Sequence, residues 1–193
     1  MLYVVIFGPP GSGKGTQSEK IIEKYGLTHV STGDMLRHEM KIGSELGANA
    51  KQYINQGQLV PDSVIIGMIK NKIVSVENQS KGIIFDGFPR TVAQAQALKE
   101  LLDTRGERIE IMLDLVVEKQ ELLNRLILRG KTSGRADDTP ETIENRLIVY
   151  DEVTFPVIEF YKNEGCYCGI TKTGTIEEIF QEIEKALDKM KII

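Results

Sequence analysis

The stretch Leu2-Tyr3-Val4-Val5-Ile6-Phe7-Gly8-Pro9-Pro10-Gly11-Ser12-Gly13-Lys14-Gly15-Thr16 decides the fold. Leu2 to Phe7 is a short, unbroken apolar run rich in β-branched residues, the pattern of a strand covered on both faces. Gly8 to Gly13 ends it. From Lys14 the spacing turns helical and stops at Tyr25-Gly26. Between a strand and a helix, Gly8-x-x-x-x-Gly13-Lys14 reads as a phosphate loop: the glycines let backbone N–H groups converge on one point, the helix N-terminus adds partial positive charge, and Lys14 adds a full charge for the β- and γ-phosphates. The general pattern places Ser or Thr directly after the lysine. Here Gly15 intervenes, so the hydroxyl that would support magnesium is displaced to Thr16.

Working outward, Gly82–Phe85, Ile109–Leu115 and Cys166–Ile170 are further strand candidates. Thr91–Leu102 predicts an amphipathic helix with Ala95, Leu98, Leu101 and Leu102 on one side, and Glu118–Leu128 predicts another. Gly130–Asp138 is polar and glycine-containing and reads as a loop. A long helical segment starts at Pro140, with Pro156 expected to kink or split it. Thr175-x-x-Glu178 is a capping box that opens a C-terminal helix. Strands alternating with helices imply a mainly parallel sheet covered on both faces. Residues 33–75 interrupt that rhythm with helical patterns alone and predict an inserted helical lobe.

The 193 residues fit one domain, and 41% apolar with 27% charged residues is the composition of a globular chain. No run reaches the roughly 20 apolar residues of a membrane span. The N-terminus has no basic segment before its apolar run, so no signal peptide is expected. A net charge of −4 disfavours a nucleic-acid footprint. Cys166 and Cys168 are too few for a disulfide framework and read as core or edge-strand thiols. The expected compartment is the cytoplasm. Of the eight arginines, Arg37, Arg90, Arg125, Arg129, Arg135 and Arg146 lie in or beside the motifs. Arginine grips phosphate with a planar fork, whereas lysine is a flexible point charge.

Five blocks carry a resemblance: Gly8–Gln17; Ser31-Thr32-Gly33-Asp34-Met35-Leu36-Arg37; Asp86-Gly87-Phe88-Pro89-Arg90-Thr91; Arg125–Asp138, ending Gly134-Arg135-Ala136-Asp137-Asp138; and Glu144-Asn145-Arg146-Leu147. In order and spacing they resemble the nucleoside monophosphate kinases, most closely the adenylate kinases, whose phosphate loop also ends Gly-Thr. The resemblance implies an α/β, P-loop three-layer fold with a five-stranded parallel sheet. It also implies a helical NMP-binding insertion at about residues 31–60 and a short lid at about 128–138, within a single kinase domain spanning 1–193. It implies reversible Mg²⁺-dependent transfer from ATP to AMP giving two ADP, serving adenine nucleotide homeostasis and nucleotide biosynthesis in a monomer without nucleic-acid or membrane partners. Some relatives carry zinc in a long lid; this lid is short and lacks Cys and His, so no zinc site is expected.

The resemblance assigns roles by position. Gly11, Ser12, Gly13, Lys14, Gly15 and Thr16 would cradle the ATP phosphates. Arg125 and Arg129 lie four apart on a helical segment and so share a face; Arg125 would lie near the adenine and Arg129 at the phosphates. Gly174 would offer a backbone contact to adenine. On the acceptor side Arg37 and Arg90 would hold the AMP phosphate, Thr32 would face the base, and Gln58, Leu59 and Val60 would touch base and ribose. Gly87, Phe88, Pro89 and Arg90 would approach AMP closely. Gln94 would hydrogen-bond adenine, although Thr91-x-x-Gln94 also fits a capping box. Arg135 and Arg146 would reach the phosphates on lid closure. With Lys14, Arg90 and Arg129 they form the expected catalytic set. Asp86 would hold Mg²⁺ through water, with Thr16 as a second contributor. Asp137 and Asp138 would orient the lid arginines, bind metal or cap the helix that follows. His29 and His38 read as structural or solvated, because the acceptor, a phosphate with second pKa about 6, has no proton to lose.

Three rivals bear on function. A UMP/CMP kinase is disfavoured by Thr32 and Gln94. A GTPase-type switch would carry Asn-Lys-x-Asp and Asp-x-x-Gly; Asn71-Lys72-Ile73-Val74 and Asp86-Gly87 match neither. A non-catalytic P-loop nucleotide-binding module would bind ATP without forming ADP.

Overall fold

The computed structural model describes residues 1–76, 80–133, 135, 137–171 and 173–190. The chain runs β1 (Leu2–Phe7), α1 (Lys14–Tyr25), β2 (Thr28–Ser31), α2 (Thr32–Ile42), α3 (Glu45–Ile54), α4 (Asp62–Val76), β3 (Gly82–Asp86), α5 (Val92–Asp103), β4 (Ile111–Leu115), α6 (Lys119–Ser133), α7 (Pro140–Val149), α8 (Val157–Asn163), β5 (Tyr167–Ile170) and α9 (Ile176–Met190). The five strands are all parallel, in the order β2-β3-β1-β4-β5. β1 is central, and its side chains alternate between two cores. Tyr3, Val5 and Phe7 pack with α4, α5 and α8, while Val4 and Ile6 pack with α1 and α9. That two-sided burial is why the run is apolar at every position. Among the described residues no helix is long and apolar enough to cross a membrane.

The register aligns the carboxyl ends of the strands. Ile6 and Ser31 both pair with Asp86, and Phe7 pairs with Asp114. After β1 the chain leaves toward one face of the sheet through α1; after β3 it leaves toward the other through α5. The crevice between these departures, outside the carboxyl ends, is where doubly wound folds bind ligands.

One strand is not foreseen and one expectation is corrected. The strand β2 escapes the apolar-run signal, because Thr-His-Val-Ser is four residues long and only Val30 joins the core. The Gly130–Asp138 loop is helical in its first part, since α6 continues to Ser133. A Cβ on Gly130 would meet the Asp138 carbonyl oxygen at 2.6 Å. That glycine admits the returning chain against the helix and does not turn it. Gly134 and Ala136, also named in that segment, lie outside the described residues. The expected split at Pro156 is observed: a π-helical turn, Tyr150–Thr154, separates α7 from α8.

Candidate active site

The Gly8–Thr16 turn presents its main chain to a cavity of about 590 Å³. Gly8, Gly11 and Gly13 have φ of +136°, +85° and +96°, a backbone that L side chains avoid. A Cβ at Gly11 would also come within 2.9 Å of Leu126 Cγ. Lys14, first residue of α1, folds back over the loop and donates to the carbonyls of Gly8 (2.7 Å) and Pro9 (3.0 Å). Its ammonium is buried; desolvation, with repulsion from Arg90, Arg146 and Arg129, outweighs the attraction of Asp86 and pushes its pKa down to about 8.

The same cavity is lined by Arg37, Arg90, Arg125, Arg129, Arg135 and Arg146. These are the six arginines that the motifs single out, brought from α2, the β3–α5 loop, α6, the connection after it, and α7. They are held in two ways. Arg129 donates from Nε and Nη2 to the two carboxylate oxygens of Asp138, both at 2.7 Å, and Arg146 Nη1 reaches the same carboxylate at 2.9 Å. Arg146 also lies 2.9 Å from the Asp137 carboxylate. Asp138 therefore orients both arginines, and the cap of α7 falls instead to Thr139, whose hydroxyl accepts from the Thr142 N–H. Burial would raise the Asp138 pKa, but hydrogen bonds and charge from Arg129, with Arg146 beyond, hold it below the usual carboxylate range. By contrast, among the described residues the Arg90 guanidinium meets no carboxylate at ion-pair distance; its Nε donates to the Gly87 carbonyl at 2.8 Å. Burial, then repulsion from Arg146, pushes its pKa down to about 10. It stays cationic at neutral pH, and an arriving anion would relieve the repulsion.

Asp86 ends β3 and faces the cavity. Burial opposes its ionisation, yet the neighbouring His29 imidazole and the charge of Lys14 keep it below the usual range. His29 Nε2 lies 3.5 Å from Asp86 Oδ2. His38 is exposed on α2.

A smaller cavity of about 70 Å³ adjoins the first, sharing Arg37, Arg90 and Arg146 in its wall. Thr32, Gln58, Leu59, Val60, Gly87 and Gln94 line it further. Thr32 Oγ1 donates to the Gly87 carbonyl at 2.7 Å. Phe88 and Pro89, joined by a cis peptide, line the larger cavity. Thr91 caps α5 by accepting from the Gln94 N–H, but the Gln94 side chain does not return to Thr91. Its Oε1 accepts from the Arg90 N–H at 2.8 Å and its Nε2 donates to Asp62 at 2.7 Å. The box is thus half formed, and the Gln94 amide stands in the wall of the small cavity.

Two sequence-derived site positions stand apart. Ser12 and Gly174 lie outside the lining of both cavities. At Gly174, φ is +150° and a Cβ would meet Glu178 Oε2 at 2.4 Å. Thr175 and Glu178 form the complete capping box there, so helix entry alone accounts for that glycine. Cys166 and Cys168 flank and enter β5, and burial raises both thiol pKa values, as for unreactive thiols. Residues that sequence reasoning left without a role here are His29, against Asp86, and Asp62, behind Gln94. Neither belongs to a local motif, and only the β2–β3 pairing and the α4–α5 packing reveal them.

Among the described residues no group of three or more His, Cys, Asp or Glu could enclose a metal. One ionised carboxylate, Asp86, and the exposed Thr16 hydroxyl suit a magnesium ion that takes its other ligands from phosphate and water.

Comparison with known proteins agrees with this geometry. The family model described as adenylate kinase matches residues 6–166. The adenylate kinase of Phocaeicola vulgatus is 57% identical over 98% of this chain and all of its own length. That of Parabacteroides distasonis is 56% identical over 99% of this chain and all of its own length. That of Porphyromonas gingivalis is 49% identical over 99% of this chain and 98% of its own. With a P-loop on a five-stranded parallel sheet, six arginines around one crevice and relatives this similar along almost the whole length, the chain belongs to the adenylate kinase family of phosphotransferases.

Proposed function

We propose that the large cavity seats ATP along the Gly8–Thr16 loop, that the small one seats the base of AMP, and that the γ-phosphoryl group passes between them where the two cavities meet. The observation that carries this reading is the shared wall. Arg37, Arg90 and Arg146 border both spaces, so a phosphate at either mouth faces the same guanidinium groups. In the transfer the bond between the γ-phosphorus and the β–γ bridging oxygen breaks. A bond forms from that phosphorus to an AMP phosphate oxygen, leaving two ADP. The attacking oxygen is already ionised, so no side chain need take a proton, and His29 has none to take. Positioning and charge stabilisation do the work.

In this reading Gly11, Gly13, Gly15 and Thr16 approach the ATP phosphates, with Lys14 bridging toward the γ-phosphate. Ser12 closes the loop through its backbone N–H to the Pro9 carbonyl at 3.1 Å, and Arg125 flanks the adenine. Arg37 and Arg90 clamp the AMP phosphate, while Thr32, Gln58, Leu59, Val60 and Gln94 surround its base. Residues 31–60 act as the monophosphate lobe. Residues 128–138 act as the lid, delivering Arg129 and Arg135 with Arg146 beside them and excluding water from the reacting phosphates. Asp86, with Thr16, would hold Mg²⁺, which when bound neutralises phosphate charge. The lobe already touches α7: Thr142 Oγ1 donates to the Asn55 carbonyl at 3.3 Å and Asn145 donates to the Gln56 carbonyl. The lobe is thereby tied to the helix that follows the lid.

Co-crystallisation with two adenosines joined through five phosphates tests both seats at once. Each adenosine is expected in its own cavity, with Arg37, Arg90, Arg129 and Arg146 on the phosphate chain. One adenosine left in solvent would overturn the reading. A panel of monophosphates with ATP provides the kinetic counterpart: faster turnover of UMP than of AMP would defeat the acceptor assignment.

A further inference from the structure

Gln94 lines the small cavity and is 2% exposed. A primary amide at such a place is an ambivalent reader of bases. Turned one way it matches the amino group and ring nitrogen of a 6-aminopurine. Turned over it matches the oxo group and ring N–H of a 6-oxopurine. The two orientations have the same shape, so packing alone does not choose between them.

Here the neighbours choose. The Gln94 Nε2 side faces Asp62 Oδ1 at 2.7 Å, and a carboxylate only accepts. The Oε1 side faces the Arg90 backbone N–H at 2.8 Å, and that group only donates. Asp62 is held in turn: its Oδ2 accepts from the Thr91 hydroxyl at 2.9 Å, and that hydroxyl accepts from the Gln94 N–H at 3.1 Å. Turning the amide over would set oxygen against carboxylate and N–H against N–H. These two bonds use one amide hydrogen and one lone pair, leaving one of each for a ligand. Asp62 opens α4, while Thr91 and Gln94 belong to the start of α5, so the arrangement exists only once those helices pack. Asp62 is outside the lining of both cavities.

We propose that Asp62 is a specificity-determining positioning residue: it locks the Gln94 amide in one polarity, so that the acceptor seat takes 6-aminopurine monophosphates and rejects 6-oxopurine ones. The inference rests on the reading of Gln94 as a base contact. A hydrogen-bonding site discriminates strongly because a mismatched base leaves buried groups unpaired. A site whose reader can turn over loses that penalty.

The test compares kcat/KM for AMP and for IMP, which differs at the 6-position and N1 without the extra amino group of GMP, at saturating MgATP. In Asp62→Ala the preference for AMP over IMP should fall about tenfold or more, the worth of a hydrogen bond to a charged group. KM for AMP should rise while KM for ATP stays at the parental value. Asp62→Asn, which can offer the amide either a donor or an acceptor, should lower the preference in the same direction. An unchanged preference in either folded variant overturns the proposal, as does a loss accompanied by an equal rise in KM for ATP. Gln94→Ala separates the two levels. If it keeps the parental preference, the base-contact reading falls and this inference with it. If it abolishes the preference while the Asp62 variants do not, only this inference falls. Should both Asp62 variants fail to fold, the unsubstituted protein still decides. A through-hydrogen-bond coupling between Gln94 ¹⁵Nε2 and the Asp62 carboxyl ¹³C is expected, and its absence overturns the lock.

Discussion

At the Gly8–Thr16 end of the crevice the wall is main chain; at the Thr32–Gln94 end it is side chains from α2, the segment before α4, the β3–α5 loop and α5. The first end is made by nine consecutive residues and needs only a strand before it and a helix after it. The second is made by residues more than sixty positions apart, and its key polar atoms are held by third parties: Gln94 by Asp62, Arg146 by Asp137 and Asp138. On the proposed assignment the contrast sets two ways of binding side by side. A backbone loop is preorganised by its own φ angles. A side-chain seat is preorganised only by the packing around it, and for that reason its selectivity and closure can be altered one residue at a time.

The sharpest way to break the contrast is Arg90→Ala. A side-chain seat should lose roughly 10²- to 10³-fold in the rate of ADP formation, the scale of removing one preorganised transition-state contact. The thermal midpoint should barely move, because Arg90 sits among like charges. An unchanged rate in a coupled ADP assay would remove Arg90 from the site.

Next comes Asp138→Asn. It leaves Arg129 and Arg146 facing each other without their shared carboxylate and should cost about 2 kcal/mol in urea denaturation. That is less than a wholly buried pair would cost, since Arg129 keeps 30% of its side chain exposed. Because the Asp138 pKa is depressed in the folded state, its contribution is complete above the unfolded carboxylate value. It is lost as pH falls through the lower, folded value. The parent should therefore lose more stability on acidification than the variant, and parallel acid profiles would sink the assignment.

The backbone end is tested by pH. Lys14 titrates near 8 in the free protein, and a bound phosphate favours its charged form. Nucleotide binding above pH 8 should take up a proton, and affinity should fall by up to about tenfold per pH unit there. Calorimetry in buffers of different ionisation enthalpy would read the uptake; Lys14→Met should abolish it. The sign for folding is opposite to that for binding. The cost of burying the ammonium is present below pH 8 and is relieved as pH rises toward the unfolded value of 10.5.

The smallest effect concerns the contact between the 31–60 segment and α7. Gly57 has φ of +69°, and a Cβ there would meet the Thr142 carbonyl at 2.8 Å. Gly57→Ala should cost about 1 kcal/mol in strain and loosen the lobe from α7, seen as a lower melting temperature with a raised KM for AMP. An unchanged KM for both nucleotides would show that the contact carries no coupling.

Local chemistry made one half of this site readable. The apolar run Leu2–Phe7, the glycines after it, Lys14 and the helix stop at Gly26 constrain one another within a few residues, and the structure repeats that reading almost residue for residue. The six arginines were legible as a set because their residue type is suited to phosphate and because each sits in a motif. The rest was not legible, for reasons particular to each element. β2 is a strand because Val30 and its neighbours pair with β3, not because Thr-His-Val-Ser prefers it. Gly130 reads as a turn signal, yet it serves a close approach that depends on where Asp138 returns. Asp138 resembles a helix cap until two arginines converge on it. What the linear chain determined alone is the nucleotide loop, the alternation of strands and helices, and the charge type of the site, all governed by interactions within a turn or two. What tertiary structure decided is the orientation of each group, which Gln94 and Asp62 illustrate best: a hydrogen-bond donor is aimed by its partner, and these partners meet only when distant helices pack.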